Sequence, residues 1–249
     1  MPSLISSRLL RLSAFGLLFV LASALPAGAE TINVDFSEGF GLTERLVQII
    51  ALVTILSLAP SILVMVTSFV RIVVVLSLLR TAMGVQQSPP NSVIISLSLF
   101  LTAFVMAPVF EKAYETGIAP LVNEEIEMGD AFTETAKPFH AFMLTQVRDK
   151  DLELFMNLSK TPAVEREEDI PLQVIVPAFM ISELKRAFEI GFLIFVPFIV
   201  IDMVVASVLM SMGMMMLPPI IISLPFKLIF FVLVDGWHLI AGSLVQSFG

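Results

Sequence analysis

The 249-residue chain is 57% hydrophobic and only 14% charged, with a mean hydropathy of +0.96, a composition that excludes an ordinary water-soluble globular protein. Its 22 acidic and 14 basic residues give a formal net charge of -8, which argues against a nucleic-acid partner, because that needs a basic face. The lack of cysteine excludes disulfides, thiolate metal sites and thiol catalysis, and two histidines, His140 and His238, are too few for an imidazole-built metal centre.

The first element reads as a targeting segment. Arg8 and Arg11 make a basic start, 12–25 is an apolar run, and Ala27-Gly28-Ala29 is a small-residue cleavage site. The competing reading, a first transmembrane helix, needs ~20 residues, and Pro26 and Gly28 close the run early. The expectation is a signal peptide over 1–29, cleaved between Ala29 and Glu30. Residues 30–45 then form a mature N-terminal segment that starts on the far side of the membrane.

Residues 46–110 hold two apolar blocks. In 46–79 the only charge is Arg71, and 93–110 has none. At ~1.5 Å per residue the first block would extend for ~50 Å, well beyond a ~30 Å hydrocarbon core. Either Pro60 folds it into a hairpin, or one long kinked helix runs out of the bilayer. The next block, 111–189, carries 16 of the 22 acids and 8 of the 14 bases, which suits an outer location better than a cytoplasmic loop. With both flanks outside, parity favours one crossing in 46–79 and one in 93–110, joined on the inside through Arg80 and Ser88-Pro89-Pro90-Asn91.

Three-to-four spacing of apolar residues predicts helices over 111–128, 139–158 and 174–189, with a charged, proline-bounded loop over 160–171. Together these form a small helical extracytoplasmic subdomain. Residues 190–249 are expected to form a helical hairpin: 192–224 contains only Asp202, 228–245 only Asp235 and His238, and the centre, 210–219, holds five methionines, one glycine and a Pro-Pro pair. Clustered thioethers conform to varied surfaces. Two readings stand: gap-filling in a packed core, or a deformable ring around a passage.

Charges inside apolar runs are costly and seek partners. The midpoint of 202 and 227 lies inside the methionine cluster, so a hairpin with its tip there puts Asp202 and Lys227 at one depth, ~18 Å from the tip. The favoured reading is an Asp202–Lys227 pair; in the other, Lys227 snorkels and Asp202 binds a hydroxyl or backbone group. Arg71 likewise requires an acceptor or a wet cavity, and its partner is not legible. No Gly-Lys dipeptide, His-Glu-x-x-His or Gly-x-Ser-x-Gly occurs, so phosphate-loop, zincin and serine-hydrolase chemistry have no motif here. The expectation is a protein that is not an enzyme and carries no cofactor.

Several strings then carry a resemblance: Pro60-Ser-Ile-Leu-Val-Met-Val-Thr-Ser-Phe-Val-Arg71, continuing to Arg80; Pro197-Phe-Ile-Val-Ile-Asp202 through the methionine cluster to Pro219; Leu224-Pro-Phe-Lys227; and Val234-Asp-Gly-Trp237. Over about 42–245 the chain resembles the FliP family of flagellar biosynthesis proteins, relatives of the export-gate subunit of type III secretion injectisomes. The resemblance implies an all-α membrane-associated subunit whose long kinked helices and helical hairpins assemble into a closed helical cone in the flagellar basal body. It implies a homo-oligomer, a pentamer, assembled with FliR and FliQ near FlhB and FlhA, at the inner membrane and on its periplasmic side, passing unfolded flagellar proteins. The family's methionine constriction falls on Met214, Met215 and Met216 with Met212 beside it; its hairpin charges match Asp202 and Lys227; Arg71 and Arg148 fall where assembly residues are expected. The alternatives are a secondary transporter or small-solute channel built around a midplane charge, and a purely structural assembly factor.

Overall fold

The computed structural model describes residues 42–85, 87–160, 166–214 and 217–249. The expected signal peptide, its cleavage point between Ala29 and Glu30, and Met215 and Met216 lie outside the described residues. The helices are α1 (Leu42–Met65), α2 (Phe69–Met83), α3 (Asn91–Ala113), α4 (Ala119–Val122), α5 (Met128–Gln146), α6 (Asp149–Ser159), α7 (Leu172–Ser211), α8 (Pro219–Leu233) and α9 (Gly236–Gln246). A π turn, Tyr114–Ile118, joins α3 to α4, and a 3₁₀ turn, Glu167–Asp169, precedes α7. No strand occurs among the described residues, so the protein is all-α.

Ala51–Gly249 forms one compact unit. Of the other, Met1–Ile50, the described part is the start of α1, whose described side chains are exposed. Leu46–Met65, Asn91–Val122 and Leu172–Ser211 are each long and apolar enough to cross a membrane, whereas α8 and α9 could do so only as a pair bent by 63°.

The first apolar block breaks at 66–68, not at Pro60, which lies inside α1. A proline removes one helical N–H but does not by itself stop a helix whose neighbours supply other bonds. The stop comes where the Thr67 hydroxyl competes for the backbone. Thr67 Oγ1 donates to the Val64 carbonyl at 3.3 Å, the acceptor that the next helical N–H would need. The expected helix over 139–158 is likewise two helices. Arg148 is extended (φ -92, ψ 138) and its N–H donates to Ser182 Oγ at 3.1 Å instead of to the preceding turn. The helical stretch expected from 111 continues α3 and ends at α4, before Asn123.

α7 is 40 residues long, ~60 Å, and passes unbroken through 189/190, where the sequence suggests a boundary between the acidic block and the hairpin. It therefore lines two cores. Ala187 and Phe198 pack with Ile72, Val75, Leu76 and Leu79 of α2 and with Phe231 and Leu244, while Val174, Ile175 and Phe179 pack with Met143 of α5 and Ile170.

Candidate functional site

The hairpin of α7 and α8 is fastened near its middle. Lys227 Nζ donates to Asp202 Oδ2 at 2.6 Å and to the Ala82 carbonyl at 3.3 Å, and Ser223 Oγ donates to Asp202 Oδ1 at 2.5 Å. Ser223 precedes Lys227 by one helical turn, so both reach the carboxylate from one face of α8. The Lys227 side chain is 3% exposed and that of Asp202 34%. The buried ammonium thus has a carboxylate on one side. On the other is the C-terminal end of α2, where free carbonyls and the helix dipole favour a cation.

The tip of the hairpin is set by a helix-ending motif. Gly213 adopts φ +76, a left-handed conformation that glycine takes without steric cost. The Gly213 N–H donates to the Met210 carbonyl and the Met214 N–H to the Leu209 carbonyl, both at 3.0 Å, the two bonds of a Schellman cap. Pro218 and Pro219 then start α8, with Pro219 at a first-turn position where no N–H is needed. This geometry leaves Met212 58% and Met214 46% exposed. Just behind them, α7 and α8 enclose an apolar groove of about 490 Å³ lined by residues including Val204, Val208, Leu209 and Phe226.

A second charge centre lies at the other end of α2. Arg71 Nε donates to Glu183 Oε2 at 2.8 Å, and Nη2 donates to Glu183 Oε1 and, at 3.0 Å, to Gln146 Oε1. Nη1 donates to the Ser247 carbonyl at 2.9 Å and to Ser247 Oγ at 3.1 Å. All five guanidinium donors are therefore used. The Phe248 ring covers the guanidinium at 3.7 Å. Gln146 Nε2 donates to the Phe248 carbonyl at 3.2 Å, and Arg186 Nη1 donates to Gln146 Oε1 at 3.0 Å. Side chains from α2, α5 and α7 and the segment after α9 thus converge on one buried cation.

One turn away, Asp151 Oδ2 accepts from Ser182 Oγ at 2.6 Å and from Arg148 Nε at 2.8 Å. Burial pushes the Asp151 carboxyl up, but the Ser182 and Arg148 hydrogen bonds, with the charges of Arg148 and Lys185, outweigh it and hold the group below its ordinary value. Arg148 thus reaches Asp151 through Nε and Nη2, with its side chain 26% exposed.

The structure thus brings Asp202 and Lys227 into contact, sets Met212 and Met214 at the tip, and places Arg71 and Arg148 at neighbouring junctions. Sequence reasoning missed Ser223, Glu183, Gln146, Asp151, Ser182, Ser247 and Phe248 as members. The one-turn spacing of Ser223 and Lys227 was a usable signal. Glu183 had none, because Lys185, Arg186 and Glu189 crowd the same stretch. Among the described residues no group of three or more His, Asp or Glu side chains could hold a metal ion.

Comparison with known proteins adds to this geometry. The model of the FliP family matches residues 52–244. The chain is 64% identical over 232 residues to a flagellar biosynthetic protein FliP from Caulobacter vibrioides, a match covering 92% of this chain and 87% of that one. It is 53% identical over 219 residues to the protein of that name from Bacillus subtilis, covering 88% and 99%, and 47% identical over 245 residues to that from Rhizobium meliloti, covering 96% and 100%.

Proposed function

The chain belongs to the FliP family, and from that membership we propose that it is a subunit of the flagellar protein-export gate. Copies of the chain, a pentamer, assemble with FliR and FliQ subunits into a channel for unfolded flagellar proteins, near FlhB and FlhA in the basal body. The assembly sits at the inner membrane and on its periplasmic side, and the hairpin tips close it with methionines.

The observation that carries this reading is the tip itself. Met212 and Met214 stand exposed at the end of a hairpin fixed by the Gly213 cap and by Asp202–Lys227 ~18 Å below. A rigid stalk presenting unbranched thioethers suits a gasket: the side chains deform around a passing polypeptide and close on one another when it has gone. Closure of this kind is steric and hydrophobic. A small-solute channel would instead use Asp202 as its binding charge, and both carboxylate oxygens of Asp202 are already engaged.

Replacing Met214, Met215 and Met216 by alanine is the test. Assembled gates should form in normal amounts and leak ions across the membrane, measured as conductance in cells or planar bilayers. Normal assembly with wild-type conductance overturns the gasket.

A further inference from the structure

The charges around Arg71 do not balance. Arg71 is paired with Glu183, Arg148 with Asp151 and Lys185 with Glu189. Arg186 has no carboxylate partner among the described residues. Its Nη1 donates to Gln146 Oε1 at 3.0 Å, a neutral oxygen that also accepts from Arg71 Nη2 at 3.0 Å. Both oxygens of Glu183, one turn before Arg186, are held by Arg71, and Glu189, one turn after it, is bonded to Lys185. A half-buried guanidinium is therefore left with spare N–H donors and no counter-charge. A planar fork of this kind takes up a carboxylate or a phosphate through two parallel bonds.

An apolar groove begins beside it. α7 and α9 enclose about 380 Å³ between Ile190, Leu193 and Ile194 on one wall and Leu239 and Ile240 on the other. Ile190 follows Arg186 by four residues, so the two share a face of α7. Ser247, which accepts from Arg71, lines the same groove, as does the exposed Ser243. Leu193 and Leu239 are 67% and 55% exposed, apolar surface whose burial is favourable. The site is thus amphipathic, with a free cation at one end and an aliphatic channel leading away from it.

We infer that Arg186 and this groove bind a phospholipid, with the phosphate on the guanidinium and one acyl chain between α7 and α9. The charged run of Glu183, Lys185, Arg186 and Glu189 is followed by 190–201 without a charge, on a helix long and apolar enough to cross a membrane. A cation at that boundary meets lipid phosphates at their own depth, where basic pockets between helices hold head groups. An extended polypeptide fits the groove poorly. Helices α7 and α9 bond their own backbones, so the amides of an incoming strand would stay unpaired among aliphatic side chains. An acyl chain carries no such groups. The hairpin tip takes no part in this site.

The test uses full-length complexes assembled in cells. p-Benzoylphenylalanine placed at position 239 and irradiated in the membrane should capture a phospholipid, identified by its mass. Capture of a polypeptide, from a second copy or from another subunit, overturns the inference. Extracted complexes stripped of lipid are then titrated with phosphatidylglycerol in detergent and read by native mass spectrometry. Arg186→Gln should weaken binding about tenfold or more, and Arg186→Lys, which keeps the charge without the fork, should fall between that variant and wild type. Ser243→Phe, which sets a ring where the acyl chain would lie, should weaken binding while leaving Arg186 untouched. Equal affinity in wild type, Arg186→Gln and Ser243→Phe overturns the inference. So does binding of glycerol 3-phosphate as tight as that of the lipid, because the groove then contributes nothing.

Discussion

Arg71 and Glu183, 112 positions apart, form a two-pronged ion pair in which neither side chain is more than 1% exposed. Arg71 lies in the first turn of α2, where the helix dipole repels a cation, so the carboxylate opposes an unfavourable local field as well as the cost of burial.

Removing Arg71 takes both of the hydrogen bonds that Glu183 accepts, and removing Glu183 takes two of the five that Arg71 donates, so either change leaves a buried charge without its counter-ion. Arg71→Ala and Glu183→Ala should each cost about 3–5 kcal/mol. The double change Arg71→Met, Glu183→Leu should cost less than the sum of the two, since no charge is left behind. Thermal unfolding of the detergent-extracted protein reads this directly. Additive losses would mean that the two side chains do not act as a pair.

The segment after α9 closes the same centre. Without residues 247–249, the two Nη1 donors of Arg71 and the Nε2 of Gln146 lose their acceptors, at about 1–3 kcal/mol for each buried group. Phe248→Leu keeps the backbone carbonyls and loses only the ring over the guanidinium, worth about 0.5–2 kcal/mol. The order of melting temperatures should be wild type, then Phe248→Leu, then the truncated chain. A truncated chain as stable as wild type would show that the tail is dispensable.

Asp151 gives the acid side of the pH profile. Its carboxyl is held below the ordinary value, so the folded state binds this proton less readily than the unfolded state does. The stabilisation is complete well above the ordinary aspartate value of about 3.9 and is lost as pH falls through it toward the lowered folded value. Ser182→Ala removes a hydrogen bond to the ionised form, so it should lower stability at neutral pH and flatten the loss between about pH 5 and pH 3. Equal slopes for variant and wild type in that window would mean that Asp151 is not held in this way.

Much of this architecture was legible because a helix interior and a membrane impose the same local rules. The long apolar runs, the Pro-Pro start of α8 and the symmetric placing of Asp202 and Lys227 about the methionines all follow from spacing alone. What escaped was decided by tertiary contact. The break after Met65 falls where the Thr67 hydroxyl competes for a carbonyl and not at the more conspicuous Pro60. The helix over 139–158 is interrupted because Ser182, far along the chain, accepts the Arg148 N–H. The partner of Arg71 could not be chosen among the charges between 183 and 189, since only the register of α2 on α7 selects Glu183. The unbroken course of α7 was hidden by composition: its first half is mixed and its second half apolar, although one rod carries both.

The Asp202–Lys227 clamp is tested by reversing it. Asp202→Lys or Lys227→Asp alone sets two like charges together beside a buried seam, and each should abolish export. The double reversal restores opposite charges, so export should return in part. It should not return fully, because a carboxylate at 227 would face the Ala82 carbonyl, which now accepts from the ammonium, and an ammonium at 202 would no longer accept from Ser223. Ser223→Ala is the finer probe: it leaves both charges in place, removes one hydrogen bond worth about 1.5–3 kcal/mol to the ionised carboxylate, and should weaken the assembled complex to heat without ending export. Secretion of flagellar subunits, quantified beside the melting temperature of the extracted complex, separates these outcomes. A double reversal no better than the worse single change would mean that the charges act on other groups and that the hairpin is not held by this pair.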